Sequence, residues 1–225
     1  MLYKIVQLLV NLFKTKKTET VNNDLEPQIV EPKEEKIIID NKKDKDMGKV
    51  SKHVWLAEVT HSNTAISRGL DNTPTEEQLI LIKEVCVNIF DKLREHTGAP
   101  IKINSVFRGP ELNEAIGGSK TSQHCVGLDT SKRSYGAAMD IDDYYWRKGI
   151  NKFNNTEMGD WIRENLDTDQ IIYEKPVNGY PGWIHVSYRP DGKNRNEVLI
   201  YLGKGKGYIP YYGNEHLIKN PDLDK

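Results

Sequence analysis

Cysteine is scarce in this chain: Cys86 and Cys125 are the two among 225 residues, and neither belongs to a Cys-x-x-Cys pair. Two thiols cannot form a disulfide framework at this length, which points to folding in a reducing compartment. Excess charge of one sign is also missing. The 32 Lys and Arg against 33 Asp and Glu leave a formal net charge of −1, so no global basic field argues for a nucleic-acid partner. Residues 1–13, MLYKIVQLLVNLF, are mostly apolar, but a helix that spans a bilayer needs about 20 such residues. The same run lacks a basic start and a small-residue cleavage site, so it is a poor secretory signal. A membrane-surface helix, a docking helix for a partner and an uncleaved export signal all remain open for it. The expectation is a weak membrane or protein contact through residues 1–13.

What is present divides the chain. Residues 14–49 are dominated by Lys, Glu, Asp and Asn, with Pro27 and Pro32 interspersed and only Ile37–Ile39 breaking the polarity. Such a segment cannot bury enough apolar surface to offset its chain entropy and reads as a disordered linker. Residues 50–202 read as one globular domain and 203–225 as a C-terminal tail without a clear period. Within the domain, Thr73-Pro74-Thr75-Glu76 reads as a helix start, with Thr73 as cap and Glu76 completing a capping box. Leu79, Ile82, Val85, Cys86, Ile89, Phe90 and Leu93 follow at helical spacing until Gly98. Ile101 and Ile103 alternate as in a strand, Gly109-Pro110 opens a short helix, and Thr156 reads as the cap of another. Gln170–Glu174, Trp183–Tyr188 and Glu197–Leu202 read as strands. Helices lead and strands follow, so the expected class is α+β with an antiparallel sheet.

Two histidines stand in distinctive contexts. His124 lies in Ser122-Gln123-His124, and Gly136-Ala137-Ala138-Met139-Asp140 follows a polar loop. His185 lies in a β-type run in which Trp183, His185 and Ser187 share one face and Ile184, Val186 and Tyr188 the other. Two imidazoles and a carboxylate suffice to hold zinc with one coordination position left open, as a catalytic site requires. Asp142 shares a strand face with Asp140 and competes with it as the carboxylate. Cys86 falls on the apolar helix face and reads as core. Cys125 adjoins His124, where a ligand role competes with plain burial.

These residues carry a resemblance. Ser122-x-His124, Gly136-x-Ala138-x-Asp140 and Trp183-x-His185 resemble the hallmark of the zinc D-alanyl-D-alanine carboxypeptidase family, in the branch with phage endolysins and VanY-like enzymes, whose fold is shared with the hedgehog signalling domain. Leu56–Asn72, Ile103–Pro110 and Glu111–Ser119 are also similar to the phage branch, so the likeness covers roughly residues 51–202. It implies an α+β domain of the hedgehog/DD-peptidase type, with a central antiparallel sheet flanked by helices and a Zn2+ site in the cleft. His124, Asp140 and His185 would be the metal ligands, and Arg108, Ser122 and Gln123 would bind substrate. An internal salt bridge from Arg108 to Glu111 or Glu114 is the competing reading.

Two departures stand out. Leu128–Tyr135 is inserted between His124 and Asp140. The position three residues before His185, where many members carry an acidic general base, is Gly182. The flanking run Asp169-Gln170-Ile171-Ile172-Tyr173-Glu174 offers Glu174 as the base, with Asp142 or Asp143 next in line. The implied function is hydrolysis of an amide in the peptide stem of bacterial peptidoglycan, by D-Ala-D-Ala carboxypeptidase or L-Ala-D-Glu endopeptidase action, in a phage or prophage lysin. Such a lysin would be phage-associated or in host cytoplasm with delivery to the wall or periplasm, or part of a virion. The alternative is a non-catalytic wall-binding or virion structural module that keeps the same fold.

Overall fold

The computed structural model describes residues 48–127 and 136–213. Residues 1–13, the linker up to residue 47, the insertion 128–135 and residues 214–225 lie outside the described residues. Lys49 already pairs with Trp55 as an isolated β-bridge. Two short helices follow, α1 (Leu56–Thr60) and α2 (Asn63–Arg68), the second capped by Ser62. Helix α3 (Glu76–Val85) starts two residues later than the sequence reading placed it: Thr75 caps, and Gln78 closes the box. The carboxylate of Asp71 accepts from the Thr73 N–H at 2.9 Å, and this turn keeps Thr73 outside the helix.

A single π-turn, Cys86–Phe90, joins α3 to α4 (Asp91–Thr97), and the Asp91 N–H donates to the Cys86 carbonyl. The wider turn keeps Cys86, Ile89, Phe90 and Leu93 all buried. Gly98 ends α4 in the left-handed region, at φ 61°, where a residue without Cβ is favoured. The buried Asp91 ties the first described residues to this helix. It accepts from Ser51 Oγ at 2.9 Å and from the Lys52 and His53 N–H groups at 3.0 Å each. Asp91→Ala leaves these donors without their acceptor. It should lower stability by about 2–4 kcal/mol, because bonds to a charged acceptor are each worth about 1.5–3 kcal/mol. Chemical denaturation of the variant measures it.

Six strands form one sheet in the order β1-β2-β4-β3-β5-β6. They are β1 (Lys102–Ser105), β2 (Ala137–Asp142), β3 (Gln170–Glu174), β4 (Trp183–Tyr188), β5 (Glu197–Tyr201) and β6 (Tyr208–Pro210). Helix α5 (Pro110–Ala115) follows β1, and α6 (Tyr144–Arg147) and α7 (Asn155–Asn165) separate β2 from β3. Asn154, not Thr156, caps α7, in a box with Glu157. The class is α+β, but the sheet is mixed: β5 pairs with β3 in parallel, while the other pairings are antiparallel. The chain runs along β3, back along β4 and forward along β5. A third strand laid on the far side of the first then has to run parallel to it. The stretch after residue 202 supplies β6, which pairs with β5, so it is not wholly a tail.

Helix α3 packs on β2 and β4, and α7 packs on β3 and β4. Their buried residues Ile82, Val85, Met158 and Ile162 meet Met139, Ile141, Ile171, Tyr173, Ile184 and Val186 in one core. Strand alternation then turns Asp140, Ile172, Glu174, Trp183 and His185 toward the opposite face. Tyr173 and Tyr211 stack at 4.0 Å, and both hydroxyls donate to Asp160 Oδ1 of α7 at 2.7 Å. That joins the segment after β6 to the helical layer. Among the described residues, no helix is long and apolar enough to cross a membrane.

Candidate metal centre

The open face of the sheet brings two of the expected ligands together by register alone. Asp140 on β2 is directly opposite His185 on β4. Gly136 sets the start of β2, because a Cβ there would run into the Tyr188 carbonyl. His124 arrives from the loop after α5. Its carbonyl accepts from the Arg108 N–H at 3.0 Å, and its Nδ1 lies 2.8 Å from the Val106 carbonyl. These contacts clamp the His124 loop to the segment that follows β1.

Three atoms converge. His124 Nε2 is 3.2 Å from Asp140 Oδ1 and 3.2 Å from His185 Nδ1, and His185 Nδ1 is 3.0 Å from Asp140 Oδ1. A backbone carbonyl only accepts, so His124 Nδ1 carries the hydrogen and Nε2 presents its lone pair. His185 Nε2 lies 3.0 Å from Gln123 Oε1, so it donates there and leaves Nδ1 as a lone pair. Two ring lone pairs and a carboxylate oxygen therefore face one point. Three acceptors without a donor repel one another unless a cation sits among them. Their spacing is close to the edge of about 3.3 Å expected of a tetrahedron with metal–ligand bonds of about 2.0–2.1 Å. The donor set of two imidazoles and a carboxylate suits zinc. Among the described residues, His124, Asp140 and His185 are the group able to hold a metal ion.

The electrostatics agree with that use. Burial lowers the pKa of His124, which keeps the ring neutral, as a metal requires. Burial alone would raise the pKa of Asp140, yet its carboxyl is held low, as an ionised metal ligand must be. Arg108 Nη2 adds an ion pair to Asp140 Oδ2 at 2.9 Å, and its Nε donates to Ser105 Oγ. Arg108 thus pairs with neither Glu111 nor Glu114. It holds one oxygen of Asp140 so that the other points into the triangle. Asn72 stiffens this corner: its amide donates to the Thr60 and Phe107 carbonyls, and its oxygen accepts from the Gly109 N–H.

A cleft of about 660 Å³ opens over the triangle. Arg108, Ser122, Gln123 and Glu174 all line it, together with Trp183, Tyr201 and Tyr208. Glu174 sits on β3, two residues from Ile172, which is opposite His185. Such diagonal neighbours are about 7–8 Å apart at Cα, within reach of a long side chain. Burial raises the Glu174 pKa to about 7, against a smaller lowering by His185. A carboxyl that titrates there is suited to exchange protons at neutral pH. Gly182, three residues before His185, donates its N–H to the Glu174 carbonyl at 2.7 Å.

The other candidates are engaged elsewhere. Asp142 accepts from Arg147 at 2.6 Å and from Asn104, and Asp143 from Arg147 and the Asn155 N–H. Cys125 is buried beside the triangle without joining it. Gln123, expected at the substrate, has both ends of its amide bound within the protein: Oε1 to His185 and Nε2 to Asp169, at 2.7 Å. Sequence reasoning missed Asn72, Asp169 and Arg195 as supports of the site. Asp169 begins the acid-rich run that drew attention to Glu174, and that was the one available signal.

No curated protein matches the chain. The profile described as Peptidase M15 matches residues 52–187, a span that contains all three converging side chains and Glu174. The chain belongs to the peptidase M15 family.

Proposed function

We propose that this peptidase is a zinc enzyme that hydrolyses an amide bond in the stem peptide of bacterial peptidoglycan, as a phage or prophage lysin. The observation that carries the reading is the triangle of unprotonated ligand atoms from His124, Asp140 and His185, 3.0–3.2 Å apart at the floor of the cleft. When bound there, zinc supplies a Lewis acid that activates water and polarises a carbonyl oxygen. Glu174 takes the proton of the attacking water and returns it to the leaving amine. Arg108 holds Asp140 in place and lines the cleft, where a guanidinium is suited to stabilise an oxyanion or a substrate carboxylate. Ser122 lines the same cleft beside the substrate path. Ile172 and Leu199 form an apolar floor beside the triangle, and Tyr201 and Tyr208 add an aromatic wall. Strands β5 and β6 thus extend the cleft beyond the residues matched by the family.

The test is mass spectrometry of peptidoglycan treated with the full chain, with zinc supplied and with zinc chelated. The expected result is a zinc-dependent fragment whose mass identifies the bond cut. Folded, zinc-loaded protein that releases nothing from several wall chemotypes would replace this reading with a wall-binding module.

A further inference from the structure

Behind His185 lies a chain of polar groups that reaches the protein surface. Arg195 Nε and Nη2 grip the two carboxylate oxygens of Asp169 at 2.8 and 2.7 Å, and Arg195 Nη1 donates to Glu197 at 2.9 Å. Asp169 is 0 % exposed. Gln123 bridges this carboxylate to His185.

We propose that Asp169 and Gln123 form a positioning pair that dictates which ring nitrogen of His185 faces the metal site, with Arg195 as its anchor. A guanidinium only donates, so both oxygens of Asp169 meet it as acceptors, and its two-pronged grip fixes the carboxylate in plane. The oxygen that Gln123 meets is therefore an acceptor, so the amide nitrogen of Gln123 must face it. The flipped amide would set two acceptors against each other at 2.7 Å, in a place where Asp169 has no water to compensate. The Gln123 carbonyl is thereby turned to His185 Nε2, which must then carry the hydrogen. Nδ1 is left as the lone pair in the triangle. Without this chain the neutral ring could hold its hydrogen on either nitrogen, and one of the two tautomers cannot bind a cation there. Gln123 therefore acts through His185, at a distance from the reacting atoms.

Only the zinc readout of the test depends on the function proposed above. Histidine-labelled, metal-free full-length protein is studied at about pH 8, above the ordinary histidine range, by long-range proton–nitrogen correlation of the rings, with His185→Gln used for assignment. Wild type should show His185 as a single tautomer, with hydrogen on Nε2. Gln123→Met keeps the length but removes the acceptor. It should show a mixture of tautomers and bind zinc about 10–100-fold more weakly, as losses of groups behind a metal ligand do, with a thermal midpoint of the metal-free protein close to wild type.

Wild-type His185 with hydrogen on Nδ1 would overturn the proposal. So would a Gln123→Met protein with unchanged tautomer and affinity. If wild type shows the expected tautomer and Gln123→Met disturbs it, yet neither binds zinc, the positioning pair stands and the metal reading falls.

Discussion

Alanine in place of His185 should abolish zinc binding and cleavage together. Removing one of three ligands leaves His124 and Asp140, which cannot enclose an ion. Groups that merely support a ligand already cost about 10–100-fold, so loss of a ligand should exceed about 1,000-fold in zinc affinity. The same change should reduce kcat/KM to background. His124→Ala should behave alike. Stability gives a second readout. Zinc held by the folded triangle should raise the thermal midpoint of wild type. The metal-free His185→Ala protein should melt near metal-free wild type, because it has lost one of three mutually repelling acceptors, and zinc should no longer shift it. Cys125→Ser, beside the site but outside the triangle, should keep its zinc. Equilibrium dialysis with metal analysis, set beside wall digestion, decides the matter: full activity in either histidine variant would exclude this centre.

Glu174→Gln should separate binding from turnover. The amide keeps the size of the side chain and touches no ligand, so zinc should remain. A lost general base costs about 100–10,000-fold in kcat. The same residue predicts a pH effect in the metal-free protein. Its carboxyl is raised from 4.5 to about 7 by burial, so the native state holds a proton that the unfolded state has released. Stability should therefore fall as pH rises from the unfolded value to the native one, and level off above it. The carboxyl keeps some contact with solvent, so the loss should be about 1–3 kcal/mol rather than the full value of the shift. Glu174→Gln should lack this slope and be the more stable protein at about pH 8. Bound zinc brings positive charge that favours the ionised form, so activity should persist below the metal-free pKa. Urea melts across pH on the two metal-free proteins measure the slope. Parallel curves would show that folding does not raise the Glu174 pKa.

The site was more legible in sequence than the fold around it. Strands β3, β4 and β5 were read within a residue of their bounds, and His185 was assigned to the face it occupies. The parallel pairing of β5 with β3 was hidden, because alternation reports which side chains share a face and says nothing of which strand lies alongside. Both helix starts were misplaced by two residues for a local reason. Thr73 and Thr75 are each followed at three residues by a box-forming side chain, and the Asp71 turn that chooses between them is a three-dimensional fact. Asn154 caps as well as Thr156 would, and Thr156 is buried two residues further in, within the first turn. The roles of Arg108 and Gln123 were read only in outline. Their partners, Asp140 and Asp169, lie 32 and 46 residues away in sequence, a separation that local patterns do not encode.

The tyrosine pair on Asp160 bears on how short this enzyme can be made. The family match stops at residue 187, yet a fragment cut there would lose β5, β6 and Tyr211. The outer rim of β3, with its row of unpaired amides beside Ile171, Ile172 and Tyr173, would then be bare. Bare, apolar strand rims recruit other chains, so the shortened protein should form aggregates where a fragment ending beyond Tyr211 stays dispersed. In this protein the stretch past the family boundary covers a rim that would otherwise be sticky.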